Sequence, residues 1–332
     1  MAHALRSMRG YSWGLNSHIM KMLITRVVNK IIMYGTAIWP MPMTARKVRN
    51  FNSIQRPFLI NITRAFKITS TNALQVLAGL TPLPLQAEIE ALYTKILQLK
   101  KSASYDDIIF NPQDYEDTPR KYIRHPSNFL QNLHCNLNNP PLSTKFTAYT
   151  DGSKIEDKVD CGVNINSETS NYTEWQSVLR HENSVFQAEL RSIVNSIKLL
   201  LPTHTDIINV STDSQSSICA VKQQFPNSPT VYLIQDLIFN SNNKFIISST
   251  RGHSACAGSE RADLLAKDAA IHQIGTLISI PWPKTVLNCK LKQLANAQWQ
   301  HQWDHGQQGR RTYEFLPKVD ENITFTSYFL SQ

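Results

Sequence analysis

Four carboxylates recur in a fixed order along the second half of the chain: Asp151 in YTDGS, Glu189 in FQAELRSI, Asp213 in VSTDSQS and Asp263 in SERADLLAK. Carboxylate oxygens are hard donors that suit Mg²⁺, so the set reads as a metal site. Each acid ends a strand or interrupts the apolar stripe of a helix, where an ionised group is unfavourable unless a cation or hydrogen bonds compensate it. Each also has a structural reading. Asp151-Gly152 has the composition of a tight turn. Glu189 could snorkel to water from the flank of its helix. Asp213 could cap the next helix, and Asp263 could sit in the first turn of a helix, where the dipole favours an acid. His253, in RGHS on the loop before the last of these acids, is either a proton carrier or a turn histidine.

The elements that must hold these groups alternate between strand and helix periods. Lys145 to Thr150, Val159 to Ile165 and Tyr172 to Val178 read as three strands, the first two joined by a polar turn. A helix from Asn183 to Leu201 presents Phe186, Leu190, Ile193, Val194 and Ile197 as an apolar face, with Glu189 on it. A strand at Ile207 to Ser211, helices at Ser214 to Gln223 and Thr230 to Asn240, a strand at Phe245 to Ser249 and a helix at Ser259 to His272 complete the run. Three strands and then alternating helices and strands imply an α/β domain on a mixed sheet.

The four motifs, with a GHS loop before the SERAD segment, resemble the type 1 ribonuclease H family over residues 143–275. The resemblance implies a five-stranded mixed sheet flanked by helices and an endonuclease that hydrolyses the RNA strand of an RNA–DNA hybrid with two Mg²⁺ ions, Mn²⁺ being an alternative. Carried over by motif, Asp151 bridges both ions, Glu189 and Asp213 complete one site, Asp263 serves the other, and His253 assists proton transfer or product departure. Gly152 and Ser153 are the expected substrate contacts. This chain departs from many members of the family at Ser249, Arg251 and Ser259, around the His253 loop.

Ahead of this segment the chain changes character. Residues 1–110 hold 14 Lys and Arg against 4 Asp and Glu, whereas residues 143–275 hold 11 against 14. A basic arm beside an acidic, metal-competent segment suggests that the first holds a phosphate backbone and the second does chemistry. The arm reads as helical: an amphipathic run from Ser17 to Ile38 stops at Pro40 and Pro42, and a second helix around Phe51 and Phe58 is bent or broken at Pro57. A third starts at Ser70 or Thr71 and stops at Gly79, and a fourth runs from Pro84 to Lys100. WGLNSHI, YGTAIWP and the stretch from Phe51 to Gln86 resemble the segment after the polymerase palm in reverse transcriptases of non-LTR retrotransposons. WQHQWDHGQQGRRTYEFLPKV resembles the region downstream of ribonuclease H in such polyproteins.

The implied organisation is a helical remnant at 1–103, a Pro- and Asn-rich linker at 104–142, the ribonuclease H domain at 143–275 and a C-terminal extension at 276–332. Five scattered cysteines without a CxxC pair read as reduced thiols, and no signal peptide or membrane span is evident. An intracellular protein of nucleus or cytoplasm, not secreted, with an RNA–DNA hybrid as partner and no protein partner evident, is the expectation. The rival readings are a non-catalytic nucleic-acid-binding relic and an integrase-like enzyme, the latter disfavoured because the glutamate comes second among the acids.

Overall fold

The computed structural model describes residues 15–36, 38–117, 132–137, 144–156, 158–167, 173–203, 207–249, 257–272 and 274–323. The chain divides into two compact units: residues 1–112 with 285–332 form unit 1, and residues 113–284 form unit 2.

Unit 1 begins with α1 (Ser17–Leu23), which runs through a π-helical turn at Ile24–Val28 into α2 (Asn29–Ile32). Then come α3 (Ala45–Thr63), α4 (Thr71–Ala78), α5 (Leu83–Leu97) and a short antiparallel hairpin, β1 (Ala103–Tyr105) with β2 (Ile108–Phe110). Helix α3 continues through Pro57, so of the two expected outcomes, a bend or a break, it is not broken there. A proline removes one helical hydrogen bond, but Phe51, Phe58, Leu59 and Ile62 are buried on either side of it and hold the turn by packing. Helix α4 behaves as its sequence predicts. Ser70 accepts the Ala73 N–H at its start, and Gly79 takes the left-handed conformation at its end.

Unit 2 is built on a seven-stranded sheet. In chain order its elements are β3 (Leu133–Asn136), β4 (Phe146–Ile155), β5 (Lys158–Ser167), β6 (Thr173–Leu179), α6 (Val185–Leu200), β7 (Ile207–Thr212), α7 (Gln215–Val221), α8 (Pro229–Phe239), β8 (Lys244–Ser249), α9 (Ala257–His272) and β9 (Thr276–Leu277). The strand order is β3-β8-β7-β4-β5-β6-β9. The pairs β4–β5 and β5–β6 are antiparallel and the other pairs are parallel. The five strands expected from the sequence occupy the middle, and one short strand is added at each edge. The segment expected as a linker therefore also supplies β1, β2 and β3. Val163, Ile165, Leu190, Ile193, Ile197, Val210 and Ile247 close the core between the sheet and its helices.

The chain then returns to unit 1 through α10 (Lys284–His305) and α11 (Arg310–Phe315). Along α10, Leu287, Leu291, Ala295, Trp299 and Trp303 are buried at every fourth position. Ala295, Trp299 and Trp303 pack with Ala73, Val76 and Leu85 of the N-terminal segment. Arg310 stacks over the rings of Trp303 and Tyr313, with its guanidinium carbon 4.1 Å from the Tyr313 centroid. Among the described residues no helix is long and apolar enough to cross a membrane.

Candidate metal centre

The site lies where two neighbouring parallel strands part. The β4–β7 pairing ends at Thr150 opposite Thr212, and the next residues on the two strands are Asp151 and Asp213. A crevice at the carboxyl ends of parallel strands is where α/β sheets commonly hold ligands. Glu189 enters from α6, whose start is fixed by a capping box between Ser184 and Gln187. One carboxylate oxygen from each of Asp151, Glu189 and Asp213 lies within 4.8 Å of the others.

The structural readings of these residues do not survive the fold. Asp151 and Gly152 form no turn, because β4 runs straight through them to Ile155. Glu189 does not reach solvent and is only 6% exposed. Asp213 is not the helix cap, since Ser214 holds that position and its hydroxyl accepts the Ser217 N–H. Asp263 falls in the second turn of α9, which starts at Ala257, so the favourable field of the first turn does not account for it.

Two glycines bring the acid-bearing helices onto the sheet. A Cβ at Gly152 would lie 2.6 Å from the Glu189 nitrogen, so only a glycine lets α6 approach β4 this closely. Gly162, the cross-strand partner of Asp151 on β5, plays the same part for α9, where a Cβ would lie 2.4 Å from the Ala262 carbonyl oxygen. Sequence reasoning missed the role of Gly162. A lone glycine inside the apolar run of β5 was the available signal.

Hydrogen bonds then orient the carboxylates. The Gly152 backbone amide favours the charged forms of both Asp151 and Glu189. The Thr212 hydroxyl donates to Glu189 Oε2 at 3.3 Å and accepts the Ser214 N–H at 3.2 Å. These contacts do not offset burial. Desolvation, reinforced by Asp151 and Asp213, raises the Glu189 carboxyl to about 9. Desolvation first, then Asp213 and Asp263, raises Asp151 to about 6.

Asp263 is near enough for its charge to act on Asp151, but it stands outside the three-carboxylate cluster and pairs with Lys267 at 2.7 Å. Ser153 is half-buried on β4. His253 and Arg251 lie outside the described residues, whereas Ser249 is the buried last residue of β8.

Comparison with known proteins bears on this same segment. Residues 143–271 match the family model described as RNase H. This segment is an RNase H domain. The chain is 31% identical over 98 residues to the "Retrovirus-related Pol polyprotein from type-1 retrotransposable element R1 3" of Nasonia vitripennis, a match covering 27% of this chain and 26% of that protein. Among solved structures, RNase H1 from the halophilic archaeon Halobacterium salinarum NRC-1 aligns with 22% identity, covering 39% of this chain and 98% of that one with a TM-score of 0.30. Within the RNase H domain, the three clustered carboxylates all come from motifs recognised in the sequence.

Proposed function

We propose that the RNase H domain is an endoribonuclease that hydrolyses the RNA strand of RNA–DNA hybrids with two Mg²⁺ ions, within a piece of a retrotransposon polyprotein. The observation that carries this reading is the convergence of Asp151, Glu189 and Asp213 at the parting of β4 and β7 inside the family-matched segment.

The donor set fits a hard divalent cation. It offers carboxylate oxygens only, and two of its members are raised by burial and mutual repulsion, which a bound cation relieves. Asp151, next to both partners and within reach of the Asp263 charge, would be shared between two ions. Glu189 and Asp213 would complete one site and Asp263, released from Lys267, the other. Bound there, a pair of Mg²⁺ ions supplies an activated water on one side of a phosphodiester and charge neutralisation of the leaving oxygen on the other. The Thr212 hydroxyl orients Glu189, the Gly152 amide favours the ionised carboxylates, and Ser153 would meet the substrate beside them. His253 would carry a proton or help the product leave.

The deciding experiment is cleavage of a labelled hybrid by the full chain, with and without Mg²⁺, beside Asp151→Asn. Cleavage of the RNA strand that needs Mg²⁺ and disappears in the variant is the expected result. Metal-independent cleavage, or unchanged turnover in the variant, overturns the assignment.

A further inference from the structure

In unit 1, α1, α2, α5, α10 and the segment around Glu321 line a groove of about 650 Å³. Its floor is a chain of internally satisfied polar groups. Asn29 donates to Gln86 at 2.8 Å, Gln86 donates to the Thr81 carbonyl at 2.8 Å, and the Thr81 hydroxyl donates to Glu321 at 2.7 Å. Lys21 fastens one wall by donating to the carbonyls of Glu321 and Ile323 at 2.5 and 3.0 Å.

The remaining cations of the groove are left over. Arg26 and Lys30 stand one turn apart, Lys292 projects from α10, and all three are exposed with no ion-pair partner among the described residues. Against the acids of the lining, Glu90 and Glu321, the four cations leave an excess of positive charge. The surroundings reinforce it: unit 1 holds 19 Lys and Arg against 8 Asp and Glu. Long cationic side chains spaced along a polar trough, above a floor whose polar groups already bond to one another, suit a row of phosphates better than a single small anion.

We propose that this groove binds the phosphate backbone of a nucleic acid through Arg26, Lys30 and Lys292, as a site separate from the carboxylate centre. Binding here is electrostatic, independent of base sequence and independent of divalent metal.

The test is fluorescence anisotropy of a labelled RNA–DNA hybrid of about 20 base pairs, with the full chain in EDTA across a salt series. The triple variant Arg26→Gln, Lys30→Gln, Lys292→Gln weakens binding at least about tenfold and makes the slope of log affinity against log salt shallower by about 2 to 3. A control triple variant, Arg46→Gln, Arg49→Gln, Lys67→Gln, removes equal charge from exposed positions elsewhere on unit 1 and leaves most of the affinity. Equal losses in both variants, or no loss in the first with its melting temperature retained, overturn the proposal. Should the triple variant fail to fold, the single variants Lys30→Glu and Lys292→Glu decide it: each weakens binding several-fold, and unchanged affinity in both is the refuting result. Because EDTA removes any role for metal-dependent cleavage, a chain without nuclease activity would leave this result intact.

Discussion

Unit 1 carries 19 Lys and Arg against 8 Asp and Glu and leaves Arg26, Lys30 and Lys292 exposed around one groove, whereas unit 2 carries 15 against 17 and draws Asp151, Asp160 and Glu189 inward. The physical consequences differ. Exposed cations need little compensation, act over about 10 Å and weaken with salt. Buried carboxylates resist ionisation, act at contact distance and respond to metal and pH. The two units should therefore fail under different treatments: salt against the basic groove, chelation and acid–base changes against the carboxylate centre.

The largest separation should come from Asp213→Asn. It removes one charge from the cluster at the end of β7 and leaves the basic groove untouched. Cleavage is expected to fall by about 10³-fold, corresponding to about 4 kcal/mol of transition-state stabilisation. Hybrid affinity in EDTA should change little. A parallel loss of binding would mean that the acids and the cations are not acting separately.

Next in size is the response of unit 2 to pH without metal. Burial raises Glu189 to about 9, and Asp151 and Asp160 to about 6 each. A carboxyl whose pKa is higher in the folded than in the unfolded state holds its proton more tightly when folded. It lowers stability as pH rises from the ordinary carboxyl range through the folded value. Amide hydrogen exchange in the strands of unit 2 should therefore be slower at pH 5 than at pH 8, after correction for intrinsic rates. Mg²⁺ should protect more at pH 8 than at pH 5. Asp160 lies outside the cluster, and both its oxygens lack a hydrogen-bond partner among the described residues, so part of the slope should persist with Mg²⁺ present. An inverse pH trend would refute the buried-charge account.

Legibility from sequence also differs between the units. In unit 2 the periods of β4 to β8 were clear because those strands bury one or both faces, and the acids were legible as an ordered set of motifs, with Glu189 alone standing out as a charge on an apolar helix face. The edge strands β3 and β9 were not legible: each is at most four residues long and is held by its neighbour in the sheet rather than by its own pattern. In unit 1, Ser70 and Gly79 announced the ends of α4 because capping is local chemistry. The unbroken course of α3 through Pro57 was not readable, because it depends on burial of Phe51, Phe58 and Ile62. The packing of α10 against Val76 and Leu85 joins residues more than 200 positions apart, which no local periodicity encodes.

A smaller effect, confined to the seating of α6 on β4, is expected from Gly152→Ala. The added methyl must push the backbone of Ala188 and Glu189, at a destabilisation of about 1 to 3 kcal/mol. Denaturant unfolding should show this loss in unit 2. Cleavage should fall further than stability alone accounts for, because Glu189 moves with its helix. Gly35→Ala in unit 1 is the useful contrast, for there the nearest atoms to an added Cβ are 3.9 Å away and the penalty comes from its positive φ alone.

The finest test concerns Thr212, whose fully buried hydroxyl links the end of β7 to Glu189 and to the backbone that starts α7. Replacing it by valine keeps the shape but leaves the Ser214 N–H and one Glu189 oxygen without this partner, a loss of about 1 kcal/mol. Half-saturation by Mg²⁺ in the cleavage assay should shift upward by about fivefold, the equivalent of that energy. Thr212→Ser restores the hydroxyl, and with it the metal response, at the expense of a buried methyl. That pairing separates orientation of the carboxylate from packing: packing alone would make serine the worse substitute, whereas orientation makes valine the worse one. If valine and wild type require the same Mg²⁺ concentration, Glu189 is held by Gly152 and its helix alone, and the hydroxyl serves only the turn into α7.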